Sequence, residues 1–139
     1  MLEIALFINL RMIDLDTNTL KEMIRAEDKH PWYQSRLSLV KKWGREIAPQ
    51  SVGLDIGCGS GAAAQLLQQE FGLFPTGMDI SKFAVDASKE RGVTTLQVDV
   101  TKIPSSDGSQ DFALALDVIE HIEPLPNQHF HPRRHLGQK

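Results

Sequence analysis

The chain has 139 residues, 41% hydrophobic and 24% charged, which is the size and balance of one globular domain. A formal net charge of −3 and a pI near 5.9 leave no basic footprint for a nucleic-acid groove or an acidic membrane, so neither partner is expected. Cys58, the single cysteine, excludes an internal disulfide framework. It suits a reducing compartment, and no apolar run reaches the roughly 18 residues of a membrane helix, so a cytoplasmic location is expected.

The apolar stretch from Leu2 to Leu10 is interrupted by Glu3 and has no basic start, so it does not read as a signal peptide. With Met12 as a second initiation point, residues 1–11 read as an incidental extension. Residues 16–28 read as a helix capped by Asp16 or Thr17, with Leu20, Met23 and Ile24 at helical spacing. A second helix follows Pro31, carries Leu37, Val40, Trp43 and Ile47 on one stripe, and ends at Pro49.

From there strands and helices alternate. Val52 to Ile56, Phe74 to Ile80, Thr94 to Val98 and Phe112 to Leu116 read as strands. Between them lie a helix from Ser60 to Phe71 and one capped by Ser81 that runs through Arg91, with Phe83, Ala84 and Ala87 inward. Residues 102–110 form a loop with Pro104 and Gly108, and Val118 opens a further turn. Such alternation implies right-handed crossovers and a parallel sheet. The continuous apolar run Phe112-Ala113-Leu114-Ala115-Leu116 fits a sheet covered on both faces.

The segment Asp55-Ile56-Gly57-Cys58-Gly59-Ser60-Gly61 falls between a strand and a helix. Glycines serve there where the chain turns sharply and a ligand approaches the backbone, and amides at the helix start attract anions. Gly57, Gly59 and Ala62 also satisfy the dinucleotide fingerprint. Three acids bear on the choice. Asp55 would repel a pyrophosphate, but can hold the loop or face a cation. Asp79 ends the second strand, where an acid suits ribose hydroxyls and serves either nucleotide class. Asp99 follows the third strand; it reads as a turn residue or as an acceptor for an adenine amino group.

These segments together resemble the class I S-adenosylmethionine (SAM)-dependent methyltransferases of the small-molecule type. The glycine segment is similar to the family's first SAM motif, and Gly77-Met78-Asp79-Ile80-Ser81 to its second strand end. Asp107-Gly108-Ser109-Gln110-Asp111-Phe112, followed by Asp117-Val118-Ile119-Glu120-His121-Ile122, resembles its fourth-strand region. The match runs from about Val52 to Ile122, and Glu27 to Arg36 resembles a lead-in that lies over the cofactor in some members.

The resemblance implies SAM as cofactor and an α/β, Rossmann-like parallel sheet in strand order 3-2-1-4. It implies that Gly57, Gly59 and Gly61, with Cys58 and Asp55, surround the methionine part, and that Asp79 holds the ribose. Asp99 and the Val100 amide would read adenine, with Ile80 and Met78 beside it or in the core. Asp117 would lie near the amino group. His121, four residues after Asp117, is the one candidate general base; the alternative is that it caps or lines the pocket. Cys58 reads as a small loop filler rather than a reactive thiol.

Residues 1–50 read as a helical lead-in, 51–123 as the SAM-binding core and 124–139 as an irregular tail. The tail holds three of seven prolines and three of five histidines. His129, His131 and His135 there suit adventitious metal binding, and no resident metal is expected. The pattern ends before a fifth strand, which predicts an incomplete sheet with strand four at its edge, self-association through that edge and weak activity. The acceptor expected is a small molecule. The rival readings are a non-catalytic SAM-binding module and a fragment of an NAD-dependent oxidoreductase.

Overall fold

The computed structural model describes residues 6–7, 17–99, 102–104, 106 and 108–116. Two helices, α1 (Thr17–Ala26) and α2 (Pro31–Gly44), precede the alternating region. There, β2 (Val52–Ile56), α3 (Ala62–Phe71), β3 (Phe74–Asp79), α4 (Lys82–Glu90), β4 (Thr95–Gln97) and β5 (Phe112–Leu116) follow in turn. A short strand, β1 (Leu6–Phe7), comes before them all.

The sheet runs β1-β5-β2-β3-β4, and every pairing is parallel. The four strands read from sequence therefore stand in the expected order 3-2-1-4. The fourth is not an edge, however. Leu6 and Phe7 pair with Ala115 and Leu116, so part of the segment read as incidental takes up the backbone groups expected to lie open. At the other end of β5, the Val52 N–H donates to Asp111 Oδ2 (3.1 Å) and the Asp111 N–H to the Val52 carbonyl (2.8 Å), which pins the β2–β5 register.

The helix boundaries follow from their caps. His30 caps α2 by accepting from the Trp32 N–H at 3.3 Å, and Pro31 supplies a preset φ at the first position. The helix stops at Gly44, short of Pro49, although Ile47 still packs on the core. α3 starts at Ala62 instead of Ser60 because Gly61 has φ +78°, outside helical space; it ends at Gly72, also left-handed. Ser81 caps α4 as expected, its Oγ accepting from the Ala84 N–H.

The parallel register divides the strand residues between two faces. One face carries Gly53, Asp55, Gly77, Thr95, Phe112, Leu114 and Leu116. Val40 of α2 and Ala63 and Leu67 of α3 pack on its apolar members. α4 lies on the same face, but its buried residues are Ala84, Val85 and Ser88, while Phe83 and Ala87 are half-buried. Ser88 turns inward because its hydroxyl meets that of Thr95 at 2.7 Å and lies against Gly61, a polar pairing that hydrophobic periodicity does not register.

The opposite face carries Leu54, Ile56, Met78 and Ala115, with Val98 and Ile103 packed against them. Among the described residues no helix joins that cluster, and Val52, Phe74 and Leu96 remain exposed. The expectation of a sheet covered on both faces thus holds for the described residues on one face only.

Candidate functional site

The glycine loop turns at the C-terminal end of β2, where three residues in the left-handed region reverse the chain: Gly57 (φ +67°), Gly59 (φ +54°) and Gly61 (φ +78°). Two of them differ in purpose. A Cβ on Gly61 would sit 2.3 Å from Ser88 Oγ, so this glycine allows α3 and α4 to meet. A Cβ on Gly59 would meet nothing within 4 Å, so this glycine faces open space. The loop is anchored from below: the Gly57 and Cys58 N–H groups both donate to the Met78 carbonyl, at 2.7 and 3.0 Å.

Asp79 lies beside it, at the end of β3. Its Oδ2 accepts from the Gly59 N–H at 3.0 Å and its Oδ1 from the Ser81 N–H at 2.9 Å. One carboxylate thus fixes both the glycine loop and the entry to α4. Each oxygen accepts more than one hydrogen bond, so the group retains capacity toward hydroxyl donors.

Asp55 is placed differently. It is 2% exposed, on the helix-covered face beneath the start of α3, and accepts from the Ala64 N–H. Its Oδ2 has no partner. Burial pushes its carboxyl up to about 7; the Arg36 charge opposes this rise and Asp79 adds to it. The floor of the loop therefore combines a buried acid with an unmatched oxygen.

A cleft opens above this floor. Gly57, Cys58 and Asp55 form one side, and Tyr33, Arg36 and Leu37 of α2 form the other. Arg36 stacks on Trp32, with the guanidinium carbon 5.0 Å from the ring centroid, and its Nη2 lies 3.5 Å from the Leu116 carbonyl at the end of β5. Glu27 closes the rim: it accepts from Ser60 Oγ and pairs with Arg91 at 3.1 Å. Burial raises the Glu27 carboxyl, against the opposing effects of Ser60 and Arg91. Arg91 also reaches Gln65, so one network joins α1, the glycine loop, α3 and the end of α4.

The structure thus brings Asp55, Gly57, Cys58, Gly59, Gly61 and Asp79 together around one loop. Asp99 lies just beyond β4, half-buried, where its carbonyl accepts from the Lys102 N–H at 2.8 Å. Ile80 is 68% exposed next to Asp79, whereas Met78 is 2% exposed and belongs to the core. Val100, Asp117 and His121 lie outside the described residues, as do His129, His131 and His135.

Cys58 is a filler in this setting. Its sulfur packs where a Cβ on Gly77 would come within 2.9 Å, and burial, with Asp55 and Asp79 nearby, pushes the thiol well up and away from the thiolate. Among the described residues no group of three or more His, Cys, Asp or Glu is placed to hold a metal ion, and no helix is long and apolar enough to cross a membrane.

Sequence reasoning placed Glu27, Tyr33 and Arg36 only within a lead-in segment and gave none of them an individual role. A signal was present: Tyr33 and Arg36 fall on the stripe that also carries Leu37 and Val40, so a charged residue occupies a helix face otherwise turned to the core.

A family model for a methyltransferase domain matches residues 54–131. Phosphoethanolamine N-methyltransferase 2 of Caenorhabditis elegans is 29% identical over 97 residues, covering 65% of this chain and 22% of that protein. The 18S rRNA (guanine(1575)-N(7))-methyltransferase of Saccharomyces cerevisiae is 36% identical over 93 residues, covering 65% and 34%. Among solved structures, a candidate S-adenosyl-L-methionine-dependent methyltransferase from Methanococcus maripaludis has a TM-score of 0.71 at 18% identity, covering 86% of this chain and 58% of that one; this likeness bears on the fold. The chain spans about a fifth to a third of the length of these two curated relatives.

Proposed function

The chain belongs to the class I SAM-dependent methyltransferase family, and from that premise we propose that it binds SAM across the C-terminal ends of β2, β3 and β4 and serves methyl transfer to a small-molecule acceptor. The observation that carries the reading is Asp55: a buried carboxylate with an unmatched oxygen beneath the glycine loop. That group suits the ammonium of an amino-acid tail. It opposes a pyrophosphate, because the α3 amide at Ala64 is already engaged by the same acid. This weighs against an NAD-dependent oxidoreductase.

In this reading Gly57, Gly59 and Gly61 shape the bed of the methionine part, and the open space over Gly59 admits it. Asp79 accepts from the ribose hydroxyls while keeping its hold on the loop. Exposed Ile80 offers an apolar edge to the adenine, and Asp99 with the Val100 amide reads its polar edge. Asp117 serves near the amino group and His121 as a base or a pocket wall; both remain assignments by family resemblance.

SAM supplies an activated methyl on a sulfonium, so the chain's own task is to hold, orient and exclude water. Orientation alone contributes as much as about 7–11 kcal/mol to such a displacement. Asp55 and Asp79 fix the two ends of the nucleoside-amino acid by different means, charge at one and hydrogen bonding at the other.

The acceptor class has one rival. The curated relative at 36% identity is named for an rRNA substrate, which favours RNA, while the acidic chain favours a small molecule. A methyl-transfer assay with labelled SAM decides between them when one arm offers phosphoethanolamine and related small amines and the other ribosomal RNA. Label in the small-molecule arm supports the reading, label in the RNA arm replaces the acceptor class, and SAM binding with label in neither selects the non-catalytic module.

A further inference from the structure

The glycine loop has three anchors, and they differ in origin. Gly57 and Cys58 are held by the Met78 carbonyl, and Gly59 by the Asp79 carboxylate, so two anchors belong to β3. The third comes from outside the alternating core. Ser60 is 1% exposed, so its hydroxyl needs a partner within the protein. It donates to Glu27 Oε2, 33 residues earlier, at the elbow between α1 and α2.

Glu27 is itself held in place. The Lys29 and His30 N–H groups both donate to the Ala26 carbonyl, which closes the elbow, and Gln34 Nε2 donates to the Glu27 carbonyl at 3.1 Å. The carboxylate pairs with Arg91 Nη2 at 3.1 Å. Arg91, the C-cap of α4, exchanges hydrogen bonds with Gln65 of α3: its Nη1 donates to Gln65 Oε1 at 3.3 Å, and Gln65 Nε2 donates to its carbonyl at 3.0 Å. Position is therefore passed from α3 through Gln65, Arg91 and Glu27 to Ser60. Burial disfavours the charged form of Glu27; the Ser60 hydrogen bond, Arg91 and Arg36 oppose this, and Asp28 adds to it. An apolar contact would tether the elbow at less cost, yet α1 buries none of its residues.

We propose that Glu27 is a positioning residue for the cofactor site: it holds Ser60, and with it the glycine loop, in the shape that receives the ligand, and Arg91 holds Glu27 in turn. This rests on the SAM-binding reading above. Glu27 acts through Ser60 rather than on the ligand. Without it the loop keeps its two β3 anchors but loses order from Gly59 to Gly61, and restoring that order on binding costs affinity. The alternative is that Glu27 only ties the elbow to α4.

Calorimetric titration with S-adenosylhomocysteine, combined with amide hydrogen exchange of the free chain, separates the two. Glu27→Ala is expected to weaken binding about five-fold or more. It should also speed exchange of the Gly59 and Gly61 amides by about five-fold or more, while the buried Leu67 amide of α3 keeps its rate. Glu27→Gln, which still accepts from Ser60 but loses the charge toward Arg91, is expected to recover part of the affinity. Ser60→Ala leaves the Glu27–Arg91 pair intact and should reproduce the loss of affinity; it decides the matter if Glu27→Ala does not fold. A folded Glu27→Ala or Ser60→Ala chain whose affinity and Gly59 exchange stay within about two-fold of wild type would make Glu27 an elbow tether and overturn the proposal. Equal acceleration at Leu67 would mark a general loss of stability and overturn it as well. Failure of the SAM reading looks different: S-adenosylhomocysteine would not bind the wild-type chain, while Gly59 exchange would still respond to Glu27→Ala.

Discussion

Asp55 and Asp79 stand near the C-terminal ends of adjacent parallel strands and touch the same glycine loop, yet their surroundings are opposite. Asp79 is half-buried, and both of its oxygens accept from backbone N–H groups that would otherwise lack a partner. Asp55 is buried, accepts from one α3 amide and leaves its second oxygen unmatched. The first acid is satisfied by the fold and stabilises it. The second is desolvated by the fold, which favours its neutral form. The difference teaches how one loop can be both rigid and receptive: Asp79 holds it, and Asp55 retains an unmet demand that a cationic ligand meets.

The largest effect expected from this contrast is on the pH dependence of stability. With its carboxyl raised from 3.8 to about 7, Asp55 keeps a proton in the fold that the unfolded chain releases. Its contribution is most favourable below pH 4 and is lost as pH rises through 7, a change on the order of 4 kcal/mol. Arg36 and Asp79 are the charged groups that act on it, in opposite directions. Asp55→Asn removes the titration, so denaturant melts at pH 5 and pH 8 should show the variant gaining stability relative to wild type as pH rises. The same variant should bind S-adenosylhomocysteine more weakly. A difference between the two proteins that does not change with pH would erase the contrast between the acids.

Asp79→Ala should act in the other direction, with a smaller effect. It leaves the Gly59 and Ser81 N–H groups without their acceptor, and a loss of about 1–3 kcal/mol in stability is expected. Affinity for SAM should fall by more than about 1 kcal/mol. Unchanged affinity in a folded variant would make Asp79 a loop anchor alone.

Cys58→Ala should do least. The thiol lies between the two acids without serving either, so affinity should stay within about two-fold and stability within about 1 kcal/mol. The wild-type thiol should resist alkylation at neutral pH; rapid alkylation would place it in an open, anion-stabilising site instead.

Much of this arrangement was legible before the structure. β2 and β5 match their expected bounds because Pro49 and the 102–110 loop punctuate the chain before them, and Ser81 is a cap by residue type. The acids at 55, 79 and 99 were legible because each follows or ends an apolar strand. Three things were not. β1 is two residues long, and its register with β5 is a long-range pairing that no local pattern encodes. Ser88 faces inward through a hydroxyl pair, which a search for apolar periodicity passes over. Arg36 was legible only as part of a lead-in segment, and its sharing of one cleft with Asp55 is a tertiary contact that no local pattern encodes.

The central claim is that the strand ends form a site for a nucleoside carrying a cationic amino-acid tail. Calorimetric titration of the chain with S-adenosylhomocysteine and with NAD, side by side in one buffer, tests it most directly. The account predicts that S-adenosylhomocysteine binds at least as tightly as NAD, with Asp55→Asn narrowing the gap. Tighter binding of NAD would contradict it, since a pyrophosphate has no cationic group to meet the unmatched Asp55 oxygen.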